Sequence, residues 1–451
     1  MTHKGMIFLA AALIAGTAGV RAQQADAADG GKVWTLAECI DYAVEHNVGV
    51  RQSENQRAQR DIQLNTDRWS RLPSVDASAG QNFSFGRGLT ADNTYTNTNT
   101  SSTSFSLGAS MPLFTGLRIT NSIRLDRLNL EAATADLEKA KNDVSIQVAQ
   151  AYVQALYDME VLAVARRQVA IDSMQAVRLR AMKEHGKASE AELSQQEATL
   201  AQSRLTATQA DGNHRLSLLT LSQLLELQTA DGFSITVPDT ASAGWLAAEV
   251  PSADAVYADA IGLMPEVKAE RLRLRGAEYS VKVAQSAFYP QLSLSAGLGT
   301  NYYKTSGYAA ADFGSQMRNN FSQYIGLSLS IPIFNRLETR NSIRTARLNR
   351  ETQQLQLDNV KKNLYQEIQQ AYYNAVAARA QYASSSEAAR SNKAAFDLTA
   401  AKYEYGKANI TEFNEAKNNW LKAESDLARA KYEYMYDTSL IDFYRGRELN
   451  I

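Results

Sequence analysis

The residues that could do chemistry are few and far apart. The four histidines, His3, His46, His185 and His214, are scattered, and no two have the spacing that would put two imidazoles on one metal. Cys39 is the single cysteine, which excludes an intramolecular disulfide and a thiolate-rich zinc site. There is no glycine-rich phosphate loop and no serine elbow. Carboxylate pairs fall on stretches with a seven-residue apolar repeat, where charge on a solvated helix face is the ordinary outcome. Catalysis, a cofactor and a resident metal are therefore not expected. The 47 Lys+Arg and 48 Asp+Glu nearly cancel, so the composition gives no support for a nucleic-acid partner. Apolar residues make up 45%, too many for a disordered chain.

The elements that must position these residues begin with a leader. Lys4 precedes an apolar run from Met6 to Val20, and Val20-Arg21-Ala22 then offers small residues before Gln23. This reads as a secretory signal at 1–22, cleaved after Ala22. An uncleaved anchor is the alternative, although the run is shorter than the roughly 20 residues a spanning helix needs. No later stretch is long and apolar enough to cross a membrane as a helix, so insertion would have to use strands.

The rest of the chain repeats itself, as self-comparison shows. Asn121-Ser122-Ile123-Arg124 recurs as Asn341-Ser342-Ile343-Arg344, Gln150-Ala151-Tyr152 as Gln370-Ala371-Tyr372, and Gly186-Lys187-Ala188 as Gly406-Lys407-Ala408, all at an offset of 220. Upstream the offset is 217, with Leu72-Pro73-Ser74 matching Tyr289-Pro290-Gln291. The organisation expected is a first repeat over 23–231, an equatorial linker over 232–265 and a second repeat over 266–451.

Each repeat changes period once. Val75, Ala77, Ala79, Phe83 and Phe85 alternate with polar residues, as do Leu292, Leu294, Ala296 and Leu298. That is the period of a strand with unlike faces. Strands are expected at 73–88, 103–115, 290–304 and 321–334, with a solvated polar loop from Thr90 to Thr103. Pro73, Pro112, Pro290 and Pro332 are expected at strand ends, where a missing N–H does least harm. Tyr302, Tyr303, Tyr308 and Tyr324 fit either an interfacial belt or loop packing. After Gly116 apolar residues recur every seven positions: Ile123, Leu130, Leu137, Val144 and Ala151, with Val148, Ala155, Leu162, Val169 and Ala176 beside them. The second repeat carries Ile343, Leu357, Leu364 and Ala371, broken by Arg350. These are seams of packed helices. Gly186 and Gly406 interrupt them as helical hairpin tips. The helix from Leu117 to about His185 would be ~100 Å long, matched by two shorter helices stacked end to end, Val48 to Arg71 and Lys187 to Glu226.

Four two-faced strands leave two open edges, which lipid does not tolerate. Closure takes about eight strands or more, so the chain must associate. Strand counting alone leaves two and three copies open.

This ordered combination resembles the TolC-like outer-membrane efflux factors, from Trp34-Thr35-Leu36 to about Arg445. Phe288-Tyr289-Pro290 opening a strand and the tips Gly186 to Glu192 and Gly406 to Glu412 carry the likeness. The resemblance implies an α+β membrane protein: a homotrimer with a 12-stranded β-barrel in outer-membrane lipid, continuous with a periplasmic α-helical coiled-coil barrel. It implies an exit duct for drugs, other small molecules or other cargo, working with a periplasmic adaptor and an inner-membrane transporter such as an RND pump. By position it puts the pore constriction on Glu412 and Glu415, where the family usually has Asp. A latch falls on Tyr403 and Glu192, with Ala408 where the family has a basic residue. The exposed tip residues Gly186, Lys187, Ala188, Gly406, Lys407, Ala408 and Ile410 become the adaptor contact. A periplasmic coiled-coil scaffold and a passive channel without a pump are the competing readings. The scaffold leaves the strands unexplained; the channel differs only in the role of the tips.

Overall fold

A computed structural model of the chain describes residues 32–89, 93–230, 232–238 and 250–449. The expected leader at 1–22, the start of the loop after Thr90 and the middle of the equatorial segment lie outside the described residues.

A four-stranded antiparallel sheet is built from β2 (Ser74–Leu89), β3 (Tyr95–Thr115), β5 (Gln291–Thr305) and β6 (Ser322–Ser330), in that spatial order. Val75 pairs with Ala109, Ala77 with Leu107 and Ala79 with Phe105, so each pair adds to one apolar face. The opposite face is laced by hydroxyls: Ser74 and Ser110 Oγ atoms lie 2.9 Å apart, and those of Ser78 and Ser106 2.7 Å. Among the described residues no second layer covers the apolar face. Ile325 and Leu327 keep 81% and 67% of their surface exposed, and no residue of this sheet joins a buried apolar cluster. A soluble sandwich would bury that face; a lipid-facing wall leaves it bare.

The sheet departs from expectation in three places. The stretch expected as a solvated loop from Thr90 is strand from Tyr95 onward, paired back to Leu89. Threonine suits a pleated strand, and Gln81 bridges it, donating to Ser101 Oγ at 2.9 Å and accepting from the Thr103 hydroxyl. β6 stops at Ser330 instead of 334, because its partner β5 begins only after Pro290 and Pro332 cannot donate to a ladder. Pro112 lies inside β3 rather than at its end, at a bulge between Pro112 and Phe114. The bulge pairs Phe114 with Leu292 and so turns Phe114 onto the apolar face. Beyond β5, α7 (Phe313–Asn319) folds back, and the Gln316 amide bonds both the N–H and the C=O of Tyr303.

Below the sheet stand two 67-residue helices, α3 (Arg118–Glu184) and α8 (Glu338–Glu404), each ~100 Å long. Each starts from a left-handed residue, Leu117 and Leu337, both at φ 66°. Shorter helices pack alongside in stacked pairs: α2 (Val48–Trp69) over α4 (Glu190–Leu224), and α6 (Pro265–Gln285) over α9 (Ile410–Tyr444). The first stack is tied where its ends meet: Asn47 Nδ2 donates to the Leu224 carbonyl at 3.4 Å, and the Val48 N–H to Glu226 at 3.3 Å. Contacts run in the order α2/α4, α3, α6/α9, α8, which makes one wall.

At mid-height α1 (Leu36–His46) packs on α3 and α5 (Ala253–Leu263) on α8. The parallel pair β1 (Val33–Trp34) and β4 (Ser234–Ile235) is held by Tyr152 of α3, whose hydroxyl donates to the carbonyl of Thr236 at 2.7 Å. Cys39 is fully buried here, and desolvation pushes its thiol up to about 12. α5 repeats α1 at the offset of 217, residue for residue at both ends. The second unit therefore starts near 250, not at 266, and the segment read as a linker contains its first helix.

Candidate functional site

The two hairpin tips, where the sequence placed every candidate residue, lie at the end of the wall remote from the sheet. Both are built the same way. α3 ends at Glu184, and Gly186 takes φ 67°; α8 ends at Glu404, and Gly406 takes φ 69°. The N–H of Lys187 reaches the Met182 carbonyl at 2.8 Å, and that of Lys407 reaches Lys402 at 2.7 Å. This six-to-one bond satisfies helix-end carbonyls and demands the left-handed residue. A Cβ on either glycine would meet nothing within 4 Å, so conformation rather than space requires glycine.

The return helices begin with matching caps. Ser189 Oγ accepts from the Glu192 N–H at 3.2 Å, and Glu192 Oε2 accepts from the Ser189 N–H at 2.7 Å. Asn409 Oδ1 accepts from the Glu412 N–H at 2.8 Å, and its amide donates to Glu412 Oε1 at 3.1 Å. Glu192 and Glu412 are thus third-position carboxylates of equivalent caps. The Ser189 N–H, then its hydroxyl, hold the Glu192 carboxyl below the usual carboxylate range.

Glu412 and Glu415 are both exposed on the first turns of α9, one helical turn apart. Gly186, Lys187, Gly406 and Lys407 are exposed; Ala188, Ala408 and Ile410 are half-buried. Ile410 also packs against an aromatic cluster of Phe396, Phe413 and Trp420. Tyr403 joins that cluster, its ring 5.1 Å from Phe413. Burial pushes the Tyr403 phenol upward, opposed by Arg178 and reinforced by Glu192. Tyr403 and Glu192 are electrostatic neighbours, and among the described residues no hydrogen bond joins them within the chain. The Arg178 guanidinium of α3 lies over the Tyr403 ring at 5.1 Å. It supplies a cation beside Tyr403 that Ala408 does not.

Sequence reasoning missed Arg178 and, above it, a buried ion pair. Lys417 of α9 donates to Asp172 Oδ1 of α3, and both side chains are fully buried. Lys417 also reaches Asn414 at 3.2 Å, and Gln196 of α4 donates to the Asp172 carbonyl at 3.2 Å. Asp172 Oδ2 and Gln196 Oε1 have no hydrogen-bond partner among the described residues. Three helices are thereby pinned at one level. The signal was present: Asp172 stands seven residues after Ala165 and seven before Leu179, in an otherwise apolar buried row.

The arrangement offers exposed carboxylates, an aromatic clamp and two rigid turns, with no group of metal ligands among the described residues. Comparison with known proteins gives a consistent result. The profile of the family described as outer membrane efflux protein matches residues 39–226 and 256–441. Protein CyaE of Bordetella pertussis is 26% identical over 404 residues, 86% of this chain and 79% of that protein. Outer membrane efflux protein BepC of Brucella suis is 22% identical over 322 residues, 71% of this chain and 67% of that protein. The crystal structure of the Campylobacter jejuni CmeC outer membrane channel aligns with a TM-score of 0.76 at 20% identity, over 92% of this chain and 87% of that one.

Proposed function

The chain belongs to the outer membrane efflux protein family, whose members are channels of the outer membrane with a periplasmic helical extension and not enzymes, and from that premise we propose that it is the exit duct of a tripartite efflux or type I secretion-like system. Three copies close the four-stranded sheets into a 12-stranded barrel and the helical walls into a tunnel. Cargo, small molecules such as drugs among it, passes from an inner-membrane transporter such as an RND pump, through a periplasmic adaptor, into the tunnel. The observation that carries this reading is the bare apolar sheet with two unpaired edges, β2 and β6, standing on a helical wall whose two tips share one end. Lipid and further copies are the partners such a sheet requires.

At the tips, Glu412 and Glu415 of three copies form the constriction, where six carboxylates around one axis focus their field on cations. Tyr403 and Glu192 form the latch, with Arg178 as the cation of this chain. Gly186, Lys187, Ala188, Gly406, Lys407, Ala408 and Ile410 present the adaptor contact. The test is planar-bilayer conductance of the detergent-extracted protein after its mass is measured by light scattering. Three copies per particle and a cation preference weakened by Glu412→Gln with Glu415→Gln are expected. A monomer that needs no detergent overturns the duct; unchanged ion selectivity overturns the constriction.

A further inference from the structure

A cavity among the described residues lies far from the tips, under the sheet. It measures about 910 Å³ and is lined by the start of α3, the end of α6 and the start of α8. Lys282, Arg340, Arg344 and Arg347 face it, and no acidic side chain lines it. The three arginines follow at i, i+4 and i+7, so they share one face of α8. No ion pair involves any of the four among the described residues. Such a concentration of cations without carboxylates is unlike the rest of a chain whose charges nearly cancel.

Its position says what covers it. The cavity spans three consecutive helices of one wall, and in the trimer proposed above, on which this inference rests, the seam to another copy lies on the side of α8 away from α6. A neighbouring copy therefore does not fill it. Phe114, Phe288 and Tyr289 form its upper rim. Through the bulge, Phe114 is on the apolar face of the sheet that carries Leu292 and Leu294, the side turned to lipid in the proposed barrel. The cavity thus opens outward, where the apolar band ends and the helices begin. Ile331, Ile333 and Phe334, all exposed, lie in the connection from β6 to α8.

We propose that this cavity binds the anionic headgroup of a phospholipid in the periplasmic-side leaflet. The acyl chains lie on the apolar face of the sheet, and the phosphate meets the arginine row. Guanidinium groups bind phosphate oxygens in pairs, through a fork of N–H donors that lysine lacks. A zwitterionic headgroup returns its own positive charge to a site that already holds four.

The test is native mass spectrometry of the intact oligomer, titrated in turn with phosphatidylglycerol, phosphatidylcholine and inorganic phosphate. Phosphatidylglycerol is expected to bind in preference to both others. Each basic side chain near an anionic lipid contributes a factor of roughly five, so Arg340→Gln, Arg344→Gln and Arg347→Gln together should weaken binding about a hundredfold. The single Arg344→Gln, expected to cost about fivefold, carries the test if the triple variant fails to assemble. Unchanged phosphatidylglycerol affinity in that variant overturns the site. Equal affinity for phosphatidylcholine overturns the headgroup charge, and phosphate binding as tightly as the lipid leaves a soluble-anion site only. None of these residues belongs to the tips, so the result is independent of the constriction assignment.

Discussion

The two hairpin tips share a backbone and differ in what cements them. Around Gly186 the flanking helices are joined by ion pairs at the surface, Lys183 with Glu190 and Arg180 with Glu197 at 2.6 Å. Around Gly406 they are joined by stacked rings: Phe396 and Trp420 lie 4.8 Å apart at 17°, with Phe413 and Tyr403 beside them. Exposed ion pairs contribute little and weaken in salt; buried rings contribute much and do not. A duplicated unit has thus kept its turn and diverged in its side chains, from which a softer first tip and a stiffer second one are expected. The buried Asp172–Lys417 pair ties the first hairpin to the second, so the softness of one is checked by the other.

Breaking that tie gives the largest effect. Lys417→Met leaves Asp172 buried without a counter-charge, which should cost about 3–5 kcal/mol. Hydrogen exchange should then accelerate at both tips, in α4 as well as α9. Adding Asp172→Leu should recover most of the loss, since an apolar pair of similar volume is often neutral or better. If the double variant is no more stable than the single, the pair is not an interacting unit.

The next effect separates the tips. Trp420→Ala should cost about 3–5 kcal/mol, the range for deleting a buried large aromatic. Arg180→Ala should cost under about 1 kcal/mol, because both members of its ion pair with Glu197 are roughly half exposed. Raising salt should erase the Arg180 effect and spare that of Trp420. Equal costs in denaturant unfolding would refute the distinction between a soft and a stiff tip.

How far the sequence could be read follows the same physics. The tips were legible because a left-handed glycine between two seven-residue repeats has few other meanings. The strands were legible as alternation, and their ends were not, since β6 stops at Ser330 only because β5 starts at Gln291. α5 was within reach: the 217 offset carries Leu36–His46 onto Ala253–Leu263, although scarcely a residue is identical. Arg178 was out of reach, because nothing in its own helix says that the Tyr403 ring will lie beneath it. Asp172 and Lys417 could have been found as charges in apolar rows, Lys417 falling between Phe413 and Trp420.

A smaller effect sharpens what the tips share. Gly186→Ala and Gly406→Ala should each cost about 1–2 kcal/mol, the cost of a left-handed L-residue, and should do so equally. Space is open at both sites, so any excess at Gly406 would mean that the aromatic cluster constrains the turn itself.

The smallest effect is in pH, and its sign differs between the tips. Glu192 has its carboxyl depressed by the Ser189 N–H and hydroxyl, so its cap contributes above the ordinary glutamate range, near 4.5, and is lost as pH falls through the lower folded value. Tyr403 has its phenol raised by burial, so the folded state favours the neutral ring. Nothing changes for it below about pH 10, the ordinary tyrosine value, and stability falls as pH climbs past that point. Protection from exchange, taken relative to the intrinsic rate at each pH, should therefore fall at the first tip in acid and at the second in alkali. Ser189→Ala should remove the acid response and leave the alkaline one, while Tyr403→Phe should do the reverse. A single variant that abolished both responses would mean that the tips open together, with the Asp172–Lys417 tie rather than their own side chains setting the threshold.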